Sequence, residues 1–310
     1  MRSREASTVK TYQMEFQYFV NWCKQTGQDY LSANSVIIGL YLTSLIQSRC
    51  SVSKINHAFY GINWFYVISN IKPNPCDDKF LLTVLEGCRR SVAKQIRKKE
   101  PINTDHIKLM ANKFGTENAD LKDLRLLSLT VLSFCGFLRF QEAINIRRSD
   151  IELFPSYCSI FIAKSKTDVY REGNKIIIAR TNKQLTCPVT ILERYLRKAD
   201  IDSNSEEYIF RAIMFSSKES KLVLRPHKYQ ALSYSTVRDL FHKALTDIGL
   251  RASDYGLHSL RAGGASASAN AGTNDRLIKK QGRWVTNKAM YGYVKDDMKD
   301  LLSVSLNLGL

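Results

Sequence analysis

The chain has 310 residues, 44% of them hydrophobic, which predicts two folded domains because single domains usually run about 100 to 200 residues. It carries 46 Lys and Arg against 29 Asp and Glu, a formal net charge of +17, so the expected partner is a polyanion, above all nucleic acid. An anionic membrane would call for a basic amphipathic helix or a lipidation signal, and neither is evident. No apolar run approaches the roughly 18 residues of a membrane span, so we predict an intracellular, non-secreted protein without a membrane partner.

The spacing of cysteine and histidine argues against a metal centre. The seven cysteines, an odd number, are never closer than twelve residues apart, which predicts reduced thiols. No Cys-x-x-Cys pair is present, and the five histidines occur singly rather than at ligand spacing. We therefore predict no bound metal.

Residues 1–100 have the periodicity of a helical domain. Apolar residues at spacings of three and four predict a first helix that begins at Ser7 and stops near Gly27. Further helical segments are predicted at Ser35 to Ser48, Ser53 to Ser69 and Asp78 to Lys99, before Pro101 interrupts the pattern.

The last of these segments ends in a run of positive charge. Such a run is a solvated helix face, a nuclear import signal or a surface that follows DNA phosphates, and composition alone leaves these alternatives open. The candidate DNA-binding residues are Arg89, Arg90, Lys94, Arg97, Lys98 and Lys99.

Residues 101–310 form the second predicted domain, mainly α with a small antiparallel β-sheet. Helical periodicity spans Leu121 to Leu138, and another helix is predicted from Ser235 to Gly249. Alternation at Ser156 to Ala163 predicts a strand, which pairs in a hairpin with a second apolar run at Lys175 to Ile178.

Arg139 stands in an apolar context, between Phe137, Leu138 and Phe140, where an arginine needs an anionic partner. One interpretation is a structural ion pair with Glu142. The other is a guanidinium aimed at a phosphate, which its planar bidentate geometry suits better than lysine.

His258 and Arg261 lie three residues apart, which places them on one face of a helix, able to approach the same phosphate. The eight residues that follow, 262–269, are all Ala, Gly or Ser. Side chains this small let a helix approach its neighbours closely, so both functional side chains are expected on a tightly packed scaffold.

Trp284, Met290, Tyr291 and Tyr293 close the pattern. Taken alone, they are better explained as core side chains of a terminal helix.

These stretches, in this order, resemble the tyrosine recombinases, the phage-integrase-like enzymes that break and rejoin DNA through a phosphotyrosyl bond. The resemblance extends loosely over the whole chain and well over residues 121–300. Arg139 and Glu142 match the family pattern Gly-x-x-Arg-x-x-Glu, and His258 with Arg261 matches its His-x-x-Arg box. It implies that the two arginines clamp the scissile phosphate, that Glu142 orients Arg139, and that His258 donates a hydrogen bond or relays a proton.

The resemblance also implies the remaining catalytic residues. Tyr293 lies nine residues after Trp284, the family spacing between the nucleophile and the residue that packs against the phosphate, whereas Tyr291 lies seven after it. Trp284 stands where many members have histidine. The family's hairpin lysine, the general acid, would be Lys166, with Lys164 as the alternative.

For the whole molecule, the resemblance implies a SAM-like, core-binding domain that grasps DNA at residues 1–100 and a catalytic domain at 101–310. The expected partner is double-stranded DNA, bound by a homotetramer on paired sites, with no metal or nucleotide cofactor. Cleavage would leave a 3′-phosphotyrosyl enzyme and a free 5′ hydroxyl.

The sequence also leaves open the origin of the protein, two alternative functions and the place of the C-terminal tail. The run from Gly256 to Ala265 looks more like recombinases of eukaryotic mobile elements, which would imply action in the nucleus. A type IB topoisomerase would use the same chemistry on a single duplex, and a domesticated recombinase would only bind DNA. The apolar tail, with Leu301, Leu302 and Val304, either docks on a neighbouring subunit or packs on its own domain.

Overall fold

The chain divides into two compact units, Met1–Arg97 and Lys98–Leu310. The structure is a computed structural model, and it describes residues 4–95, 97–165, 168, 170–226 and 230–309. Within these described residues no helix is long and apolar enough to cross a bilayer.

Four α-helices form the described part of the first unit, as the periodicity predicted. They are α1 (Ala6–Gln25), α2 (Ser35–Gln47), α3 (Val52–Ile68) and α4 (Lys79–Ser91). Polar side chains fix three of the helix starts, because Asn34, Ser51 and Asp78 each accept hydrogen bonds from free backbone N–H groups of the first turn. The core beneath them is apolar and aromatic, and it includes Phe19 and Tyr66.

The prediction that the fourth helix continues to Lys99 is wrong, since α4 ends at Ser91. Beyond that point Lys94, Arg97 and Lys98 follow closely without an acidic residue between them, so a continued helix would stack like charges on one another. The end of the basic run is therefore an irregular, exposed segment in the part of 92–99 that the structure describes.

The second unit is mainly helical with two small antiparallel sheets, which confirms the predicted fold class. Its helices are α5 (Thr104–Phe114), α6 (Leu121–Cys135), α7 (Phe140–Ile144), α8 (Pro188–Lys198), α9 (Tyr234–Asp247), α10 (His258–Asn270), α11 (Asp275–Gly282), α12 (Asn287–Tyr291) and α13 (Met298–Leu306). Its strands are β1 (Ile151–Leu153), β2 (Tyr157–Ile162), β3 (Asn174–Ala179), β4 (Ile213–Ser216) and β5 (Lys221–Leu224).

The two sheets have simple topology. Strands β1, β2 and β3 follow one another in an antiparallel meander, in which Ile160 pairs with both Ile151 and Ile176, and β4 pairs with β5 in a separate hairpin. The connection from β2 to β3 is closed by Asp168, whose carboxylate accepts hydrogen bonds from the backbone N–H groups of Glu172 at 3.0 Å and Gly173 at 2.8 Å. The sequence predicted the β2–β3 hairpin and missed the β4–β5 hairpin.

Helix α6 lies at the centre of the second unit, with every residue from Leu124 to Phe134 buried, and it packs against α5, α8 and α10. The approach of α10 depends on glycine. A Cβ added at Gly264 would lie 2.0 Å from the carbonyl oxygen of Phe134, and one at Gly263 would lie 1.8 Å from that of Ile102. The predicted close packing of the small-residue helix is thus present, and it fixes α10 against the end of α6.

Candidate active site

The turn after α6 places Arg139 and Glu142 together. Phe137 has a positive φ of 47°, which reverses the chain so that Arg139 sits at the start of α7 and Glu142 in its first turn. The Glu142 carboxylate accepts two hydrogen bonds from Arg139, one from its backbone N–H at 2.8 Å and one from Nη1 at 2.6 Å. A carboxylate in the first turn also suits the positive end of the helix dipole.

Two further arginines converge on Glu142. Arg283 donates from Nη2 to Oε2 at 2.7 Å, and Nη1 of Arg261 lies 3.7 Å from the same oxygen. The four side chains Arg139, Glu142, Arg261 and Arg283 are called the Glu142 cluster below. Burial alone would raise the pKa of Glu142, but the charge of Arg283 and the hydrogen bonds from Arg139 outweigh it and hold that pKa below its ordinary value. Glu142 is therefore ionised at neutral pH.

Arg261 is held in the interior by backbone carbonyls. Its side chain is 0% exposed, Nη1 donates to the carbonyl oxygen of Phe137, and Nη2 donates to that of Gly282 at 2.5 Å. Burial and the neighbouring Arg139 charge lower the pKa of Arg261 to about 9, which leaves the guanidinium protonated at neutral pH. The result is a positive charge in a fixed position beside α6.

Two aromatic rings lie over that charge. The Arg261 guanidinium carbon is 4.2 Å from the centre of the Trp284 ring and 5.0 Å from that of the Tyr293 ring, and the two rings are 5.3 Å apart. Both distances are within the range of a cation–π interaction. Trp284 is buried, and its indole N–H has no hydrogen-bond partner among the described residues. An orphan donor of this kind is costly unless a ligand supplies the acceptor.

His258 and Tyr293 share an open cleft of about 520 Å³. His258 is the first residue of α10 and is exposed, while Tyr293 is partly buried. The cleft is also lined by three lysines, Lys98, Lys99 and Lys295, against one acidic residue, Glu100, so its lining carries net positive charge.

Tyr291 is placed differently. It is 55% exposed, and its phenol donates to the Asp275 carboxylate at 2.5 Å. This hydrogen bond raises the pKa of Tyr291, so the phenol stays protonated at neutral pH. Of the two tyrosines only Tyr293 contacts the Arg261 guanidinium in the described interactions.

Arg283 is the residue that the sequence interpretation missed. It has a left-handed backbone, with φ of 55°, and its buried side chain donates to the carbonyl oxygens of Gly136 at 3.2 Å, Phe137 at 2.9 Å and Gln281 at 2.6 Å as well as to Glu142. The available signal was an arginine directly before a candidate site residue, Trp284, in a segment otherwise interpreted as buried aromatic core.

Lys166, the predicted general acid, lies outside the described residues, and its alternative Lys164 is exposed directly after β2. Among the candidate DNA-binding residues, Arg89 donates from Nε to Asn56 at 2.8 Å and Arg90 to Glu86 at 3.0 Å, while Lys94, Arg97 and Lys98 are exposed. Lys99 donates to the carbonyl oxygen of Ser253.

No group of three or more His, Cys, Asp or Glu side chains is placed to hold a metal ion in the described part of the chain. The charges gathered at the candidate site are those of arginine, with one carboxylate. Such an arrangement can bind an oxyanion and stabilise negative charge that develops on it.

Comparison with known proteins places this geometry in context. A model of the phage integrase family matches residues 100–300. An integrase/recombinase xerD homolog from Selenomonas ruminantium is 26% identical over 302 residues, which cover 95% of this chain and 83% of that protein.

Among solved structures, the XerH site-specific recombinase bound to palindromic difH substrate in a post-cleavage complex matches with a TM-score of 0.66 at 14% identity, over 97% of this chain and 80% of that one. A lambda integrase dimer bound to a COC′ core site matches with a TM-score of 0.57 at 15% identity, over 96% of this chain and 92% of that one. At these identities the likeness shows a shared fold.

Proposed function

Because this chain belongs to the phage integrase family, we propose that it is a site-specific DNA recombinase that breaks and rejoins strands of double-stranded DNA through a 3′-phosphotyrosyl intermediate. The observation that carries the proposal is the convergence of Arg139 and Arg261 on one buried carboxylate, with the Tyr293 ring 5.0 Å from the Arg261 guanidinium carbon. These contacts support the proposal because they bring the proposed nucleophile and the two proposed phosphate-binding arginines together from three separate segments.

The first step is an in-line transesterification. The Tyr293 phenol oxygen forms a bond to the scissile phosphorus, and the bond from phosphorus to the 5′ oxygen breaks. The phenol proton leaves through His258 at the cleft, and Lys166 supplies a proton to the departing 5′ oxygen as general acid. The reverse reaction, with a 5′ hydroxyl from a partner strand, rejoins the DNA without an external energy source.

The charges of the Glu142 cluster suit this transition state. Three guanidinium groups against one carboxylate give a net charge of 3 − 1 = +2. A phosphodiester carries one negative charge, and its five-coordinate transition state carries two. Fixed donors aimed at charge that develops in the reaction are each worth about 10²- to 10³-fold in rate.

The phosphate reaches Arg261 only after a rearrangement, since that side chain is 0% exposed beneath Trp284 and Tyr293. A swing of the Tyr293 ring away from Arg261 accomplishes two things at once. It opens the guanidinium to the phosphate and releases the phenol for attack. The buried indole N–H of Trp284 then finds its acceptor in a phosphate oxygen.

Assembly on paired DNA sites as a homotetramer is the finer part of this proposal. No residue of α13 is buried, and Leu301, Leu302, Val304 and Leu306 are each more than half exposed. An apolar helix that its own domain does not cover supports docking on a neighbouring subunit. One compared protein of the same fold, lambda integrase, is a tetramer on a Holliday junction in a solved structure.

An origin in a eukaryotic mobile element, and action in the nucleus with it, also stays a proposal. It rests on the residues from Gly256 to Ala265 alone.

The decisive experiment traps the covalent intermediate. Wild type and Tyr293→Phe are incubated with nicked suicide duplexes from a random-site library, and protein–DNA adducts are scored on a denaturing gel. We expect an adduct from wild type only, and sequencing the trapped DNA yields the site. DNA binding without any adduct would favour the binding-only rival, and an adduct formed by a protein that stays monomeric on its site DNA in light scattering would favour the topoisomerase.

A further inference from the structure

Arg283 adds positive charge to the Glu142 cluster, and within the described part of the chain it also makes the closest contact with Glu142 from outside α7 and its N-cap, at 2.7 Å. We propose that Arg283 is a positioning residue, which locks the Glu142 carboxylate so that Glu142 in turn holds Arg139 in the orientation that binds the scissile phosphate. The inference rests on the proposed function and deepens it.

The two carboxylate oxygens of Glu142 accept hydrogen bonds from different side chains. Oε1 accepts from Nη1 of Arg139 at 2.6 Å, while Oε2 accepts from the Arg139 backbone at 2.8 Å and from Nη2 of Arg283 at 2.7 Å. With a side-chain partner on each oxygen, the carboxylate cannot rotate without losing a charge-assisted hydrogen bond. Loss of Arg283 would remove the side-chain partner from Oε2 and let the carboxylate, and with it Arg139, sample other orientations.

The backbone at Arg283 supports a role for its side chain. With φ of 55°, this position favours glycine, and a non-glycine residue there is strained. Strained backbone persists where the surroundings hold it, and it concentrates at functional sites. Four acceptors, three backbone carbonyls and Glu142, hold this guanidinium in place.

A purely structural role is the competing explanation, because Arg283 also joins the end of α11 to the carbonyls of Gly136 and Phe137 after α6. The two roles differ in what they affect. If the role is structural, replacing Arg283 lowers the stability of the fold. If Arg283 is a positioning residue, replacing it lowers the cleavage rate through Glu142.

The test measures single-turnover adduct formation at saturating DNA, DNA affinity and thermal stability for Arg283→Gly and Arg283→Lys. Glycine relieves the strain at this φ, so the fold is expected to survive. We expect cleavage by Arg283→Gly to fall about 10²-fold with DNA affinity unchanged, since a small misplacement of a catalytic group costs roughly this much. Arg283→Lys keeps one charge and should recover part of the rate.

A double-mutant cycle separates the two roles. If Arg283 acts through Glu142, the double variant of Arg283→Gly and Glu142→Gln cleaves no more slowly than the slower single variant. If the rate loss of the double variant equals the product of the two single losses, the two residues act independently. That result would overturn the proposal.

The pH profile gives a further readout. The charged groups that face Glu142 are Arg139 from its own helix, Arg261 from α10 and Arg283 after α11. Their combined effect is to keep the pKa of Glu142 below its ordinary value. Glu142 therefore orients Arg139 as a carboxylate at higher pH, and this orientation is lost as the pH falls through that pKa. In Arg283→Gly this loss of cleavage rate should begin at a higher pH than in wild type. If the acidic side of the pH–rate profile is the same in both proteins, the result counts against the proposal.

The outcomes are distinguishable. Absence of an adduct from wild type would sink the proposed function and this inference together. An adduct from wild type with an equal rate from Arg283→Gly would sink this inference alone. Should Arg283→Gly fail to fold, Arg283→Lys decides, because a wild-type rate would contradict the proposal and a slower rate at unchanged stability would support it.

Discussion

The arginines of the Glu142 cluster and those of the basic run near the end of the first unit are the same residue type in opposite environments. The Arg261 and Arg283 side chains are 0% and 2% exposed, whereas that of Arg90 is 80% exposed. Charges fixed in the interior act on one point in space and need no reorganisation when an anion arrives. Charges on solvated side chains add affinity for any phosphate backbone and are screened by salt. Under the proposed function, the buried arginines would act on the scissile phosphate and the exposed basic run would add affinity for the DNA backbone.

The largest effect should come from the nucleophile at the inner site. Tyr293→Phe removes only the phenol oxygen, so we expect no covalent adduct and unchanged DNA affinity, measured by trapping on a denaturing gel and by a binding titration. Tyr291→Phe is the matched control and should trap DNA normally. Normal trapping by Tyr293→Phe would move the nucleophile to Tyr291.

Next in size are the inner arginines. Arg139→Ala and Arg261→Ala should each slow cleavage by about 10²-fold or more at saturating DNA, because each removes a fixed donor to the phosphate. Arg90→Ala is the outer control, and its rate at saturating DNA should equal that of wild type. If Arg90→Ala lost as much cleavage rate as Arg139→Ala and Arg261→Ala, the buried and exposed arginines would not differ in role.

A packing variant tests whether the position of Arg261 depends on the close approach of α10 to α6. Gly264→Ala places a Cβ 2.0 Å from the Phe134 carbonyl oxygen, so α10 must move and carry Arg261 with it. We expect about 1 to 3 kcal/mol of lost stability, from denaturant unfolding, and slower cleavage by the folded fraction. Gly87, inside α4 with no atom within 4 Å of an added Cβ, is the matched site. Gly87→Ala should raise stability by about 0.5 to 1 kcal/mol through helix propensity and leave the cleavage rate near wild type.

The smallest effect belongs to the outer region. Lys94→Gln removes one exposed charge, so non-specific DNA affinity should fall a few-fold and the slope of log affinity against log salt should decrease by about one. Lys10→Gln, at an exposed lysine in α1, provides the comparison. Identical salt slopes for Lys94→Gln and wild type would mean that this part of the run does not follow phosphates.

Much of the fold and part of the site were predictable from sequence because they depend on local periodicity and spacing. The helices of the first unit, the β2–β3 hairpin and the small-residue helix α10 follow from patterns within a few dozen residues. Arg139 and Glu142 lie within one turn, so their contact follows from the chain itself.

The parts that sequence could not supply depend on distant contacts or on backbone geometry. The hydrogen bond from Arg283 to Glu142 joins residues 141 positions apart, and it needs the left-handed turn at Arg283, which no periodicity indicates. The end of α4 at Ser91 was missed for a different reason. The apolar periodicity continues past Ser91, but the like charges that accumulate there disfavour a helix.

The long separation within the Glu142 cluster also governs when it can form. During synthesis Glu142 leaves the ribosome 141 residues before Arg283, and the Phe137 carbonyl precedes its Arg261 donor by 124. Until those segments arrive, the carboxylate has only Arg139 as a cationic partner in the cluster, and contacts of such high sequence separation form late and slowly. Nascent or truncated chains therefore carry no assembled centre, which delays any capacity to cut DNA until almost the whole catalytic unit has been made.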